Sequence, residues 1–362
     1  MQSHTPEDHA VLTARRIVVS SGLELLDTDD QVLADISDQL VPAASSITRD
    51  NYAAVHGSCD LQLLTTLDWP AVRLRPYQLI SADGSSWARW NLGVYLPTTP
   101  EQTATDDNAA AVQVQGYDKL HLLQRAVGDT YVVPTDTAYL AAARQVILDA
   151  GVTGLPPLFD GTAQGVYLLE PMVWVLDESD PATWLRVVND LLAAVGYRGL
   201  WADAEGRFRS EPYASPSTRP TEWTFDLADP RTNTVGPVRT LTTDTFTGIN
   251  WWRFVADGLT TQPVEGAGLH TVDHTAGELR RPRVERLQVA DQAALVARGQ
   301  EIVDADTRRG QVLEIETGPL PVLGHFDVAE YRDPTLGTLK VLTRTHTIPL
   351  DGNVALTLEV VS

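Results

Sequence analysis

The residue types best suited to chemistry in this chain are few and poorly spaced for it. His270 and His274 stand four apart, which on a helix would bring two imidazoles to one face for a metal. Thr271, Val272 and Asp273 lie between them, without the Glu that a zinc protease places after its first His, and Gly266 and Gly268 argue for loop or strand, so an exposed loop pair is expected. Asp27, Asp29 and Asp30 begin like a calcium loop, but Val32 stands where that loop needs Gly and Asp38 where it needs Glu; a solvated turn is expected instead. Asp106 and Asp107 could be half of a carboxylate pair, yet a chain with 48 acidic residues places some side by side by chance. There is no Gly-x-Ser-x-Gly elbow, no phosphate loop and no Gly-x-Gly-x-x-Gly opening a helix. No catalytic, cofactor-binding or metal-binding residue is therefore assigned, and no cofactor is expected.

Nine tryptophans could stack on sugar rings, a reading that points to a secreted carbohydrate-binding or glycoside-active protein. Trp184 falls on the apolar stripe of a helix, however, and Trp69, Trp87, Trp90 and Trp251 fall in strands, where burial in a core explains them equally well. Cys59, the single cysteine, reads as a small buried hydrophobe and excludes an intrachain disulfide or a cysteine-based zinc knuckle.

The elements that must position these residues belong to a folded chain. It has 362 residues, 43% of them apolar and 21% charged, which is close to the globular average. At roughly 100 to 200 residues per domain, two or three domains are expected. The net charge of -21 excludes a nucleic-acid binder that grips phosphates through a basic face. The start, MQSHTPEDHA, lacks a basic and then apolar leader, so no signal peptide is expected. The longest nearly uncharged apolar run, Gly165 to Leu176, is interrupted by Glu170 and Pro171 and falls short of the ~20 residues a membrane helix needs, so no membrane insertion is expected.

From Arg16 to Thr98, short apolar alternations with period two predict antiparallel strands, including a hairpin across Ala82-Asp83-Gly84-Ser85 and a further strand with Val112 and Val114. The stretch Thr98 to Asn108 reads as a surface loop. Between Leu120 and Pro212 the period becomes helical. Asp136 is placed to cap a helix from Tyr139 to Ala150; Asp180, with Pro181 after it, is placed to cap a second through Val195, and a hairpin follows from Tyr197 to Glu211. The Pro- and Ser-rich stretch Pro212 to Pro220 reads as a boundary. Beyond it lie strands at Trp223 to Phe225, Val238 to Leu241 and Phe246 to Val255, a helix near Val289 to Asp306, and closing strands at Val312 to Glu316, Phe326 to Tyr331, Leu339 to His346 and Val354 to Val361. The fold class predicted is α+β, predominantly antiparallel β: two β-barrel-like domains at 1–118 and 214–362, with an α/β insertion domain at 119–213.

The order of segments resembles the tail hub (baseplate hub) minor tail proteins of long-tailed phages, especially those of actinobacteria. The segments that carry the likeness are His56, Gly57 and Leu61; then Leu74, Arg75, Pro76 and Tyr77; then Gly93, Val94, Tyr95, Thr98, Thr99 and Pro100; and Gly116, Tyr117 and Asp118 leading into Lys119-Leu120. In the C-terminal part they are Asn250 to Val255, the helix around Ala293 to Ala305, Leu320 to Val328, and His346 to Leu350 with Gly352.

The resemblance implies a structural virion protein without catalytic residues. It would be a homo-oligomer, a trimer, whose paired barrels match a hexameric tail tube above and a threefold tip below. Distal tail or tube proteins would be its partners on one side, and tip, fibre or receptor-binding proteins on the other. DNA would pass without specific binding, and the protein would reside in the tail tip after assembly in the host cytoplasm. Because the chain ends at Ser362 just after the last strand, cell-wall degradation and receptor binding would belong to other proteins. The spike-hub of a contractile injection system shares this architecture and is the alternative within the same class.

Overall fold

The computed structural model describes residues 2, 5–14, 16–103, 111–177, 179–229, 235–244, 248–267, 270–271 and 279–361. After a short helix α1 (Pro6–Leu12), the first β region supplies β1 (Val18–Leu26), β2 (Val32–Asp35), β3 (Ser46–Asp50), β4 (Gly57–Leu63), β5 (Arg73–Ser81), β6 (Ala88–Asn91), β7 (Tyr95–Thr103) and β8 (Ala111–Asp118). Their cause is the period-two alternation: in β4, Gly57, Cys59, Leu61 and Leu63 point inward while Asp60 faces solvent. The stretch from Thr98 is not all loop. Up to Thr103 it continues β7, pairing Thr99 with Gln115 and Glu101 with Gln113 of β8. The ladder is made by backbone groups, so a strand with polar side chains forms wherever its neighbour fixes the register.

The middle segment folds into β9 (Tyr131–Val133), α2 (Tyr139–Asp149), β10 (Leu158–Phe159), β11 (Met172–Trp174), α3 (Trp184–Ala194), β12 (Trp201–Ala202) and β13 (Phe208–Ser210). Its helix caps differ from expectation. Thr183, not Asp180, caps α3 by accepting the amide of Arg186 at 3.1 Å, which leaves Asp180 to pair with the Arg186 side chain. Asp136 adopts a left-handed φ of 59° in the turn before α2, whose N-cap Ala138 makes no side-chain cap.

The last part contains β14 (Trp223–Asp226), β15 (Val235–Thr243), β16 (Trp251–Ala256), β17 (Leu259–Thr260), β18 (Val264–Glu265), β19 (Pro282–Arg286), α4 (Gln292–Arg308), β20 (Gln311–Thr317), β21 (Val328–Asp333), β22 (Gly337–Pro349) and β23 (Val354–Val360). On α4, Leu295, Ile302 and Val303 are buried while Val296 is exposed, so the stripe is narrower than its spacing implied. Gly299 is needed there: a Cβ would lie 2.6 Å from the ring of Phe254 on β16.

The fold is α+β and predominantly antiparallel β. Strands from both β regions share one open sheet in the order β15-β20-β23-β22-β3-β4-β8-β7-β5-β1-β2, with β6 on β5, β21 on β22 and β14 on β21. Among the described residues the sheet does not close into a barrel. Its seam is the antiparallel pair β3–β22, where Ile47 faces Ile348 and Arg49 faces His346. Both regions contribute to one hydrophobic core, from Leu12 to Val114 and from Trp223 to Val360. A second core, Leu120 to Phe208, belongs to the middle segment, and a third joins β16 to α4. No helix among the described residues is long and apolar enough to cross a membrane.

Candidate functional site: polar joints between the packing units

Asp30 is the first joint, and it is not the solvated turn its acidic neighbours suggest. Its side chain is 1% exposed at the tip of the β1–β2 hairpin, where the backbone takes a φ of 64°. One oxygen lies 2.5 Å from the Arg73 guanidinium, and the other lies 2.6 Å from Nζ of Lys119, itself 1% exposed. The second oxygen also accepts the amide of Leu155 at 3.1 Å, and Thr153 Oγ1 donates to the carbonyl of Thr28. The hairpin of the sheet is thereby clamped to the loop after α2. Burial pulls the Lys119 ammonium below its usual pKa, and the Asp30 carboxylate opposes that shift. Gly154 permits the approach: its φ is +100°, and a Cβ would stand 2.1 Å from Asp30 Oδ2.

One residue before Lys119, Asp118 ends β8 and caps the following 3-10 turn. Its oxygens accept the amides of Gly57 at 2.6 Å and of Leu120 at 2.8 Å. Burial pushes its carboxyl up to about 7, although both amides favour the charged form. Two segments read separately along the sequence, His56-Gly57 and Gly116-Tyr117-Asp118, thus meet in space. The other lysine has a similar role: Lys340 Nζ donates to the carbonyls of Ser217 at 2.8 Å and Arg219 at 2.5 Å, tying the Pro212 to Pro220 stretch to β22.

The second joint is the seam. Arg49 is buried and donates to the carbonyls of Leu323 at 2.5 Å and Leu92 at 3.0 Å. Opposite it, His346 is 2% exposed, and among the described residues neither ring nitrogen has a hydrogen-bond partner. His325 Nδ1 lies 2.8 Å from Asn51 Oδ1, and its ring stands 5.3 Å from that of His56, whose Nδ1 is also unpartnered. Burial lowers all three imidazoles, His56 to about 4 and the other two well below their ordinary value, so they are neutral near pH 7. Phe326 beside them holds a left-handed φ of 61° and sits under the Arg198 guanidinium.

Of the residues considered for chemistry, His270 is buried against Gly266 and Gly310 rather than exposed, while His274, Asp106 and Asp107 lie outside the described residues. Among the described residues no group of three or more His, Cys, Asp and Glu is placed to hold a metal. Cys59 is buried, and burial raises its thiol. Trp90, Trp174, Trp223 and Trp252 are buried; only Trp87 is well exposed, so no row of indoles faces solvent. Asp30, His325 and Lys340 carry joints that the sequence reading missed. The one local signal was the scarcity of lysine, which sets Lys119 and Lys340 apart among 27 basic residues.

No protein-family model matches the chain, and no curated protein sequence does. Solved structures do match in fold. The tail protein from Neisseria meningitidis superposes with a TM-score of 0.64 at 13% identity, over 94% of this chain and 96% of that one. The 43 kDa tail protein of prophage MuSo2 from Shewanella oneidensis gives 0.61 at 14%, over 94% and 98%. The Francisella PdpA-VgrG complex gives 0.55 at 7%, over 95% of this chain and 58% of that one. The chain therefore has the fold seen in phage tail proteins and in a VgrG complex.

Proposed function

We propose that the chain is a structural component of a phage tail, the hub at the tail tip. The observation that carries this is the end-to-end match in fold to two tail proteins, 94% of this chain against 96% and 98% of theirs. In this reading, 1–118 and 214–362 are two β modules and 119–213 an inserted unit facing neighbours. Three copies form a ring that joins a hexameric tube to a threefold tip. Distal tail or tube proteins bind above, and tip or fibre proteins below. A net charge of -21 per chain suits a conduit through which DNA slides without sticking. The protein acts without catalysis, in the virion after assembly in the host cytoplasm.

Light scattering tests the assembly: a trimer, or a monomer that trimerises on tail components, is expected, and a persistent monomer with hydrolase activity on polysaccharides overturns the reading. A cryo-EM map of the tail should show more carboxylates than Arg and Lys on the lumen wall; a basic lumen refutes the sliding argument. The VgrG likeness favours a second reading, the hub of a contractile injection system. The two separate by whether the assembled particle carries a contractile sheath.

A further inference from the structure

The longest nearly uncharged apolar run of the chain, Gly165 to Leu176, does not enter a core along most of its length. Tyr167, Leu169, Val173, Val175 and Leu176 are exposed, Leu169 at 84% and Val175 at 67%. They line a groove of ≈ 1070 Å³ together with the segment from Arg286, the last residue of β19, to Ala290. Among the described residues β11, inside the run, pairs only with β9, so its second side has no strand neighbour. Contiguous exposed apolar side chains beside a half-paired strand are the features of a surface that receives an extended segment.

Charge selects the occupant. Among the described residues, Glu170, Asp177, Asp180, Asp190 and Asp257 line the groove against only Arg186 and Arg286. Both arginines are already engaged, Arg186 with Asp180 at 2.8 Å and Arg286 with Asp257 at 3.1 Å. The rim therefore keeps an excess of carboxylates that a basic segment complements, whereas an acidic one would be repelled. We propose that this groove docks an extended segment of a different protein, with apolar side chains toward β11 and Lys or Arg toward the acidic rim. The proposal deepens the reading of the inserted unit as a contact surface, and it does not depend on trimer formation, which is measured separately.

The probe is a short synthetic peptide of alternating valine and lysine, with its valine–glutamate counterpart as control, titrated calorimetrically into the full chain. The lysine peptide should bind about tenfold or more tightly than the glutamate peptide, and the neutral double variant Leu169→Asn/Val175→Asn should weaken it by about tenfold. Hydrogen exchange should slow at 169–177 when the peptide is bound. Glu170→Gln/Asp177→Asn should reduce the salt dependence of binding while leaving the apolar contribution. No binding, equal binding of both peptides, or equal binding to the Asn double variant overturns the proposal. So does protection of 169–177 that appears with rising protein concentration alone, which would make a second copy the occupant. Trimerisation unchanged in the Asn variant together with lost peptide binding separates this groove from the ring contacts.

Discussion

The two polar joints bury ionisable groups in opposite ways. At the β1–β2 hairpin, one carboxylate meets two cations within 2.6 Å, so every charge has a partner. At the β3–β22 seam, a buried guanidinium satisfied by carbonyls faces His346, with the neighbouring pair His325 and His56 buried in the same region, and two of the three rings have unpartnered nitrogens among the described residues. The first joint depends on each member being present. The second is stable only while its histidines stay neutral. Pairing makes a junction sensitive to mutation, whereas desolvation without pairing makes it sensitive to pH.

The largest effect expected is at Asp30. Asp30→Asn keeps the shape and tolerates the left-handed φ, but strands Arg73 and Lys119 as buried cations. Breaking a buried pair in this way costs about 3–5 kcal/mol. Lys119→Met should cost less, because Arg73 still neutralises Asp30 at 2.5 Å. Denaturant unfolding at pH 7 measures both. A loss below about 1 kcal/mol for Asp30→Asn would mean that the clamp stabilises no better than an exposed ion pair.

At the seam the sign follows from linkage. His56 falls from 6.5 to about 4 on folding, and His325 and His346 fall well below 6.5. Below pH 6.5 the unfolded chain takes up protons that the native state refuses, so the stability these groups permit is lost as pH falls from about 6.5 through 4. Asp118 acts oppositely: its carboxyl is raised from 3.8 to about 7, so its contribution is present at low pH and lost as pH rises through that window. Three histidines against one carboxyl should leave the protein less stable at pH 5 than at pH 7. His346→Leu, which removes two unpartnered nitrogens, should flatten the profile and be neutral or stabilising by about 1 kcal/mol at pH 7. Asp118→Asn should steepen the acid side. A flat wild-type profile by thermal unfolding would remove the distinction between the joints.

Much of the scaffold was legible because it is written locally. The period-two alternation around Cys59 and Leu61 marks β4, and the spacing of Leu295 and Ile302 marks α4. The joints were not legible, because their partners are distant in sequence: Asp30 meets Arg73 and Lys119 across 43 and 89 residues, and Asn51 donates to the Thr343 carbonyl across 292. Nothing near Asp30 distinguishes it from Asp27, whose carboxylate caps the turn by accepting the amides of Asp29 and Gln31, or from the exposed Asp29. The same distance hid the seam: period two identifies β3 and β22 as strands but does not say that they pair with each other. Segment order carried more information than any single motif, since Gly57 and Asp118, read as separate motifs, prove to be hydrogen-bonded.

The smallest effect sharpens the comparison from its solvent-exposed limit. Arg186 pairs with Asp180 at 2.8 Å, a shorter contact than many productive ones, yet the two side chains are 49% and 73% exposed. Water solvates both ions whether or not they meet, and ordering two side chains offsets most of the Coulomb gain, so Asp180→Ala should change stability by about 0.5 kcal/mol or less. Thr183, the residue that caps α3, should cost more on replacement by alanine, about 1 kcal/mol, because its hydroxyl satisfies an otherwise free helix amide. Unfolding both variants beside Asp30→Asn in low and high salt tests the ordering. Only the Asp180 variant should lose its small effect in salt, since an exposed charge is screened over about 10 Å at 0.1 M whereas Asp30 and Lys119 are shielded from ions. If Asp180→Ala rivalled Asp30→Asn, burial would not be what distinguishes the charged joint from an ordinary surface pair.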